Sequence, residues 1–141
     1  MPVSPYGVTK LSRALLAGTG MTVNGDGLQR RSNTFIDDAA RAAIAAADRR
    51  LGGKTFNIAG LESASLLEAI ALMKEAIGVT PMLEYSPSQK GDELETRGNS
   101  AKAMRLLGWR PETSLKEGLE VQARAALAEW DSLRSREGVA S

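Results

Sequence analysis

Apolar residues recur at three- and four-residue spacing in five stretches of the chain, and this period predicts five helices. The stretches cover residues 5–18, 39–50, 66–77, 100–107 and 115–133. A glycine follows each of the first four within a few residues, as is typical where a helix ends. The chain is therefore predicted to contain four or five helices, which pack against a small set of short strands.

Two of these helices begin with a capping box, in which a serine side chain and a glutamate three residues later satisfy the first free amides. Ser65 pairs with Glu68, and Ser114 pairs with Glu117. Each helix carries one apolar stripe predicted to pack inward. The stripes are Leu66, Ile70, Met73 and Ile77, and Leu115, Leu119, Ala126, Trp130 and Leu133. The chain from about Arg134 is expected to fray.

The helix of residues 39–50 is rich in alanine. Asp37 and Asp38 open it and Arg49 and Arg50 close it, in agreement with the helix dipole. We expect its small apolar face to pack closely against a neighbouring element. That face consists of Ala39, Ala40, Ala43, Ile44 and Ala47.

Short runs between the helices predict strands. They are Met21–Asn24, Lys54–Gly60, Pro81–Tyr85 and a further extended piece at Thr34–Ile36. Residues 86–98 are predicted to form a polar loop. The elements together predict the α/β class, as a small mixed α/β lobe rather than a full doubly wound sheet.

The amino-acid composition excludes several kinds of functional site. The 141 residues fit one domain, with 43% hydrophobic and 25% charged residues. Cysteine and histidine are both absent from the sequence. Disulfides, thiol nucleophiles and the commonest metal ligand are thereby excluded, so we expect no metal site. No apolar run approaches the length of a membrane span, and no leader is evident, so we expect a cytoplasmic protein with no membrane partner.

Charge is unevenly distributed. Residues 1–60 hold eight Lys or Arg and four Asp or Glu, whereas residues 61–141 hold 10 and 13. A modest basic excess in one half suits a small anionic ligand better than a nucleic acid, which calls for a larger basic surface.

The basic half contains the highest concentration of residues suited to ligand binding. They form a Gly25-Asp26-Gly27 turn that is followed by Arg30 and Arg31. Glycine allows close approach of the backbone to a ligand, and arginine matches phosphate or carboxylate oxygens. The stretch therefore predicts an anion site. The alternatives for Arg31 are a solvated turn residue or an ion pair with Asp37 or Asp38.

Tyr6 and Lys10 lie four residues apart on the first predicted helix. A nearby ammonium lowers a tyrosine pKa, so the pair has the form of a proton-exchanging catalytic unit. The alternative is an exposed aromatic ring beside a solvated lysine.

Several ordered motifs resemble the NAD-dependent epimerase/dehydratase family, the extended short-chain dehydrogenases that modify sugar nucleotides. They are Pro-Tyr-Gly-Val-Thr-Lys at 5–10, Gly-Asp-Gly-x-Gln-x-Arg at 25–31 with Phe-Ile-Asp-Asp at 35–38, Phe-Asn-Ile-Ala-Gly at 56–60, Gly-Asp at 91–92, and Leu-Leu-Gly-Trp-Arg-Pro at 106–111. The resemblance implies a remnant of the catalytic helix at 1–20, a substrate-binding lobe at 21–134 and a flexible tail at 135–141.

The same resemblance implies roles for particular residues. Tyr6 and Lys10 stand at the catalytic positions, as vestigial candidates. The implied substrate-binding residues are Asn24, Gln29, Arg31, Gln89 and Lys90. Arg31 would contact a nucleotide diphosphate, but Gln89 stands where the family has a second diphosphate-binding arginine. Ser32 and Asn33 replace the Asp and aromatic residue that usually follow the first arginine.

The family's glycine-rich cofactor turn has no counterpart in the sequence, which leads us to expect no cofactor on this chain alone, although the family uses NAD or NADP. Our leading hypothesis is a non-catalytic module that binds a nucleotide or sugar nucleotide and self-associates as a homodimer. The alternative is a sugar-nucleotide epimerase or dehydratase that is active only in an assembly or with a separate cofactor-binding half.

Overall fold

The computed structural model describes residues 5–88 and 93–138, with side chains for residues 11–88 and 93–136. The helices are α1 (Pro5–Ala17), α2 (Ile36–Asp48), α3 (Leu66–Ile77), α4 (Ala101–Leu107) and α5 (Leu115–Gly138). The strands are β1 (Met21–Asn24), β2 (Arg30–Ser32), β3 (Ser63–Ser65), β4 (Leu83–Ser86) and β5 (Glu95–Thr96).

The described strands form two small sheets. β1 pairs with β4 in parallel, with Val23 opposite Tyr85. The other sheet has the order β3-β2-β5, in which β2 runs antiparallel to β3 and parallel to β5. Both pairing directions occur, and helices cover the strands, so the prediction of a mixed α/β lobe is confirmed.

The larger core lies where α1, α3 and α5 meet over β1. Its buried members are Leu11, Leu15, Val23, Ala69, Ile70, Met73, Leu119 and Ala123. The predicted stripe of α3 contributes two of them, Ile70 and Met73, and its ends Leu66 and Ile77 pack against the same cluster. Core assignment of this stripe is therefore confirmed.

Both capping boxes are also present. Ser65 Oγ accepts from the Glu68 amide at 3.1 Å, and Glu68 accepts from the Ser65 amide at 2.6 Å. Ser114 and Glu117 make the equivalent bonds at 3.2 and 2.9 Å. α5 then extends to Gly138, beyond the point at which we predicted fraying, and its Leu133 is 44% exposed rather than packed inward.

A second core joins α2 to α4. Its buried members are Ala42, Ala103, Leu107 and Trp109, with Phe56 and Ile58 packed beside them. Asp38, which has no exposed surface, lies next to this cluster. Its carboxylate accepts from the Thr113 amide at 3.1 Å and from the Glu112 amide at 3.3 Å, and it also pairs with Arg41. Trp109 Nε1 donates to the Asp38 carbonyl at 2.8 Å.

Our prediction of which face of α2 packs inward is wrong. Ile44 is 62% exposed, and Ala40, Ala43 and Ala47 are exposed as well. The buried side carries Asp38 and Ala42 instead. Because alanine occurs all round this helix, the apolar pattern does not fix its rotation, and the hydrogen bonds of one buried carboxylate decide it.

Two predicted extended segments also differ from the structure. Thr34–Ile36 is not a strand, since α2 begins at Ile36 and the strand lies earlier, at Arg30–Ser32. Lys54–Gly60 has no strand assignment either. Its Ala59 amide donates to Ser100 Oγ rather than to a neighbouring strand, so the segment lacks the ladder partner that would make it a strand.

Replacing Asp38 by alanine should lower the free energy of unfolding by about 3 kcal/mol, because two backbone amides and Arg41 lose their acceptor. Asp37 is exposed in the same turn, so Asp37→Ala is the matched control and should cost less than about 1 kcal/mol. Urea unfolding monitored by tryptophan fluorescence measures both. Equal losses in the two variants would contradict the anchoring role of Asp38.

Candidate functional site

The glycine turn lies between two strands. β1 ends at Asn24, and Gly25 and Gly27 follow with φ of +70° and +74°, values that favour glycine. Asp26 Oδ1 accepts from the Leu28 amide at 2.9 Å and closes the turn. A side chain at Gly27 would lie 2.8 Å from Leu67, so the turn packs tightly on α3. The turn thus fixes the chain direction into β2.

Asn24 and Gln29, both predicted to bind substrate, lie together across this turn. Gln29 Nε2 donates to the Asn24 carbonyl at 3.3 Å. Ser86 Oγ donates to Asn24 Oδ1 at 2.7 Å, and the Gly25 amide donates to the Ser86 carbonyl at 2.8 Å. The turn is therefore tied to the end of β4, close to the loop that follows it.

The two adjacent arginines have different environments. Arg30 forms an ion pair with Glu68 at 3.0 Å and donates to the Ser63 carbonyl. Its charge is thus balanced by the residue that caps α3. Arg31 Nη1 donates instead to the carbonyls of Arg30 and Glu93, each at 2.8 Å.

Within the described part of the chain, no carboxylate lies within ion-pair distance of Arg31. The alternative of an ion pair with Asp37 or Asp38 is wrong, because the Asp38 carboxylate is buried against Arg41 and the loop at 112–113. The alternative of a solvated turn residue is also not what the structure shows. Arg31 belongs to β2 and is half-buried, with its guanidinium held by backbone carbonyls.

The side chains of four other predicted site residues lie outside the described part of the structure. Gln89 and Lys90 lie outside the described residues. Tyr6 and Lys10 lie within α1, as predicted, but their side chains are outside the described part. The structure therefore brings together Asn24, Gln29 and Arg31 around one turn and leaves the arrangement of the rest as a prediction.

An open groove of about 620 Å³ lies between the start of α2 and the first half of α5. Its lining is mainly apolar and carries no charged side chain. The lining residues are Ser32–Ile36, Ala39, Thr113–Leu115, Gly118, Leu119, Val121, Gln122 and Ala125. Arg31 does not line it, so the groove and the arginine form separate features.

The described residues do not fit the pyrophosphate of a dinucleotide cofactor. Such a site needs a strand, a glycine turn and then a helix whose first amides face the phosphates. Here the Gly25–Gly27 turn leads into a strand, and the first amides of α3 are satisfied by its own capping box.

Sequence reasoning missed three contacts of this region. They are the Ser86 bond to Asn24, the Glu93 carbonyl on Arg31, and the Glu68 partner of Arg30. Each joins positions at least 38 residues apart in the chain, and no local pattern signals them. The sequence indicated Glu68 only as a member of the capping box, and not as the ion-pair partner of Arg30.

The site is thus an arginine on a short strand beside a glycine turn, within a mixed α/β lobe. Residues 2–59 match the sequence profile described as the NAD dependent epimerase/dehydratase family. The chain is similar to this family over these residues, and to its members over most of its own length. None of the described helices is long and apolar enough to cross a membrane.

Curated relatives and solved structures show the same similarity. The chain is 33% identical over 112 residues to UDP-glucose 4-epimerase of Mycolicibacterium smegmatis, covering 79% of the chain and 36% of the relative. It is 38% identical over 97 residues to UDP-glucuronate 4-epimerase of Thermodesulfobacterium geofontis, covering 68% and 30%. UDP-glucuronic acid 4-epimerase of Bacillus cereus, solved with UDP-glucuronic acid and NAD, superposes with a TM-score of 0.79 at 31% identity, covering 86% and 39%. The chain therefore spans about a third of the length of these curated relatives.

Hydrogen bonds lower the pKa of Glu68 below its ordinary value, first from the Ser65 amide and then from Arg30. The Ser114 hydroxyl and amide likewise lower the pKa of Glu117. A carboxyl whose pKa is lower in the folded state stabilises the fold above its unfolded pKa. That stabilisation is lost as the pH falls through the folded pKa.

Stability should therefore decline as the pH falls below about 4.5, the region where unfolded glutamate takes up protons. Glu68→Gln should be less stable than the parent at neutral pH and should show a shallower decline on acidification. Glu84→Gln, an exposed change on β4, is the control and should keep the parent slope. Urea unfolding across a pH series measures the slopes. A Glu68→Gln slope equal to that of the parent would contradict the assignment.

Proposed function

We propose that this lobe binds the diphosphate of a sugar nucleotide through Arg31. The observation that supports the proposal is the contrast between the two arginines. Arg30 is neutralised by Glu68, whereas Arg31 has no carboxylate partner among the described residues. A guanidinium that is held in position but not neutralised suits an anionic ligand with paired oxygens.

The identity of the ligand class comes from the relatives. The matched Mycolicibacterium and Thermodesulfobacterium proteins are named for UDP-glucose and UDP-glucuronate, and the Bacillus cereus structure holds UDP-glucuronic acid. We therefore propose a UDP-sugar as the ligand. Asn24 and Gln29 border the same turn and are proposed to line the site, with Gln89 and Lys90 contributing from the loop after β4.

Binding of UDP should weaken about tenfold to a hundredfold in Arg31→Ala, because a charge-assisted hydrogen bond contributes about 1.5–3 kcal/mol. Arg30→Ala removes the same charge one residue away and is the matched control, with a smaller change expected. Isothermal titration with UDP, a UDP-sugar and uridine measures the binding. Uridine, which lacks the diphosphate, should bind weakly to parent and variants alike.

Circular dichroism of both variants shows that loss of binding is not loss of fold. If the parent gives no heat with UDP or the UDP-sugar, the proposal is wrong. If Arg30→Ala and Arg31→Ala weaken binding equally, the charge of the region binds the ligand and Arg31 has no special role.

We propose further that these residues alone do not catalyse hydride transfer. The chemistry needs a nicotinamide held rigidly against the substrate carbon, and a displacement of about 1 Å costs about a hundredfold in rate. The described residues offer no pyrophosphate cradle of the required form. The second candidate is an epimerase or dehydratase completed by another polypeptide, with Tyr6 and Lys10 as its acid–base pair.

Incubation with a UDP-sugar and NAD distinguishes these candidates. We expect no epimerised or dehydrated product from the chain by itself, and no rise in its melting temperature with NAD alone. Product formation that disappears in a Tyr6→Phe variant would overturn the non-catalytic proposal and favour the second candidate.

Self-association as a homodimer is the other part of the proposal. It is supported by the apolar surface that a single chain leaves in water. Ile36 and Ile44 on α2 are 68% and 62% exposed, and the open groove lies beside Ile36. An exposed apolar side chain beside an apolar groove is typical of an interface. Light scattering of the purified chain measures the association directly.

A further inference from the structure

We propose that Asn24 is a site of spontaneous deamidation, and that Ser86 at the end of β4 controls the rate of the reaction. Asn24 is followed by glycine, and asparagine before glycine is the dipeptide most prone to deamidation. Glycine has no side chain that would keep its backbone nitrogen away from the asparagine side chain. The folded structure decides how fast the reaction runs, because hydrogen bonds hold both reacting groups.

The reaction is an attack of the chain on itself. The backbone nitrogen of Gly25 loses its proton and forms a bond to Cγ of Asn24, and the bond between Cγ and Nδ2 breaks. Nδ2 leaves as ammonia with that proton, and water then opens the succinimide ring that remains. The product is aspartate or isoaspartate at position 24. Water is thus the only co-reactant, and a neutral amide becomes a carboxylate.

Both reacting groups contact Ser86 in the folded chain. The Gly25 amide donates to the Ser86 carbonyl at 2.8 Å, and an amide proton that is bonded in this way is harder to remove. Asn24 Oδ1 accepts from Ser86 Oγ at 2.7 Å, which holds the side-chain amide toward β4. The Asn24 backbone carbonyl also accepts from Gln29 Nε2 at 3.3 Å, which restrains rotation of the peptide group. The two bonds to Ser86 must therefore break before the Gly25 nitrogen reaches Cγ.

These two bonds lie at the end of a strand pair. Asn24 opposite Ser86 is the last residue pair in the register of β1 and β4. Ends of strands open locally at a smaller free-energy cost than the core of a domain. Val23, the preceding residue, has no exposed surface and belongs to the larger core, so the opening is confined to the Asn24 end. Asn24 should therefore deamidate slowly in the folded chain, at a rate set by this local opening.

Conversion of Asn24 changes the charge of the candidate ligand site. The Gly25–Gly27 turn connects Asn24 to β2, which carries Arg31. A carboxylate at the start of this turn repels the diphosphate that we propose as the ligand of Arg31. This consequence rests on the proposed function, whereas the modification itself does not.

Peptide mass spectrometry of the chain, kept at mildly alkaline pH, measures the conversion of Asn24. The rate in urea-unfolded parent should exceed that in folded parent about tenfold or more, because unfolding removes both bonds to Ser86. Ser86→Ala frees Asn24 Oδ1 and should raise the rate in the folded chain about fivefold. Ser63→Ala changes a half-buried serine on β3 and is the matched control, which should keep the parent rate.

Asn57 provides a comparison within each sample. Its side chain is exposed, but the next residue is the β-branched Ile58, which hinders attack by the backbone nitrogen. Asn57 should therefore be the slower site in every sample, although Asn24 is the less exposed of the two. Circular dichroism shows that Ser86→Ala remains folded.

Asn24→Asp carries the charge of the product and tests the consequence for binding. It should weaken UDP binding about threefold and leave uridine binding unchanged, because uridine lacks the diphosphate. Asn24→Gln keeps a neutral amide and should lose less affinity for UDP than Asn24→Asp. Isothermal titration measures both variants beside the parent.

The outcomes separate the modification from the proposed function. An Asn24 that stays intact in the unfolded chain overturns the modification site, and equal rates in folded parent and folded Ser86→Ala overturn control by Ser86. Complete protection in the folded parent, over a time in which the unfolded chain is converted, overturns opening at the strand end. A parent that does not bind UDP overturns the proposed function alone, since mass spectrometry still decides the modification.

Discussion

The buried carboxylate of Asp38 is the interaction on which the second half of the structure depends. This carboxylate joins the start of α2 to the loop at 112–113 that leads into α5. The backbone carbonyl of the same residue accepts a hydrogen bond from the Trp109 indole. A buried carboxylate is costly unless every oxygen is bonded, so the position of α2 is set by those partners. The rotation of the helix, the exposure of Ile44 and the groove beside Ile36 all follow from this contact.

The candidate ligand site is organised by a different constraint, the pairing of β2 with both of its neighbours. The alternation of a strand directs Arg30 and Arg31 to opposite faces. Arg30 reaches Glu68 at the start of α3, and Arg31 reaches the Glu93 carbonyl. Adjacent residues of the same type therefore differ in their contacts: Arg30 is paired with a carboxylate, whereas the guanidinium of Arg31 is held by backbone carbonyls.

The segment at residues 54–60 shows how tertiary contacts can override a local pattern. Its sequence has the composition of a strand, but a strand also requires a partner at its edge. The contacts with Ser100 and Lys102 on one side satisfy part of the backbone.

Local signals determined much of this protein from sequence alone. The capping boxes, the glycine stops, the stripe of α3 and the mixed α/β class were all predicted, because hydrogen bonds and apolar periods within one helix are encoded by neighbouring residues. The anion site at the arginine stretch stays a prediction. The rotation of α2, the missing ladder at 54–60 and the partners of Arg30 and Arg31 were decided by the tertiary structure. Each depends on contacts between residues that are far apart in the chain. Buried charges and backbone amide and carbonyl groups need hydrogen-bond partners, and a local sequence pattern does not specify them.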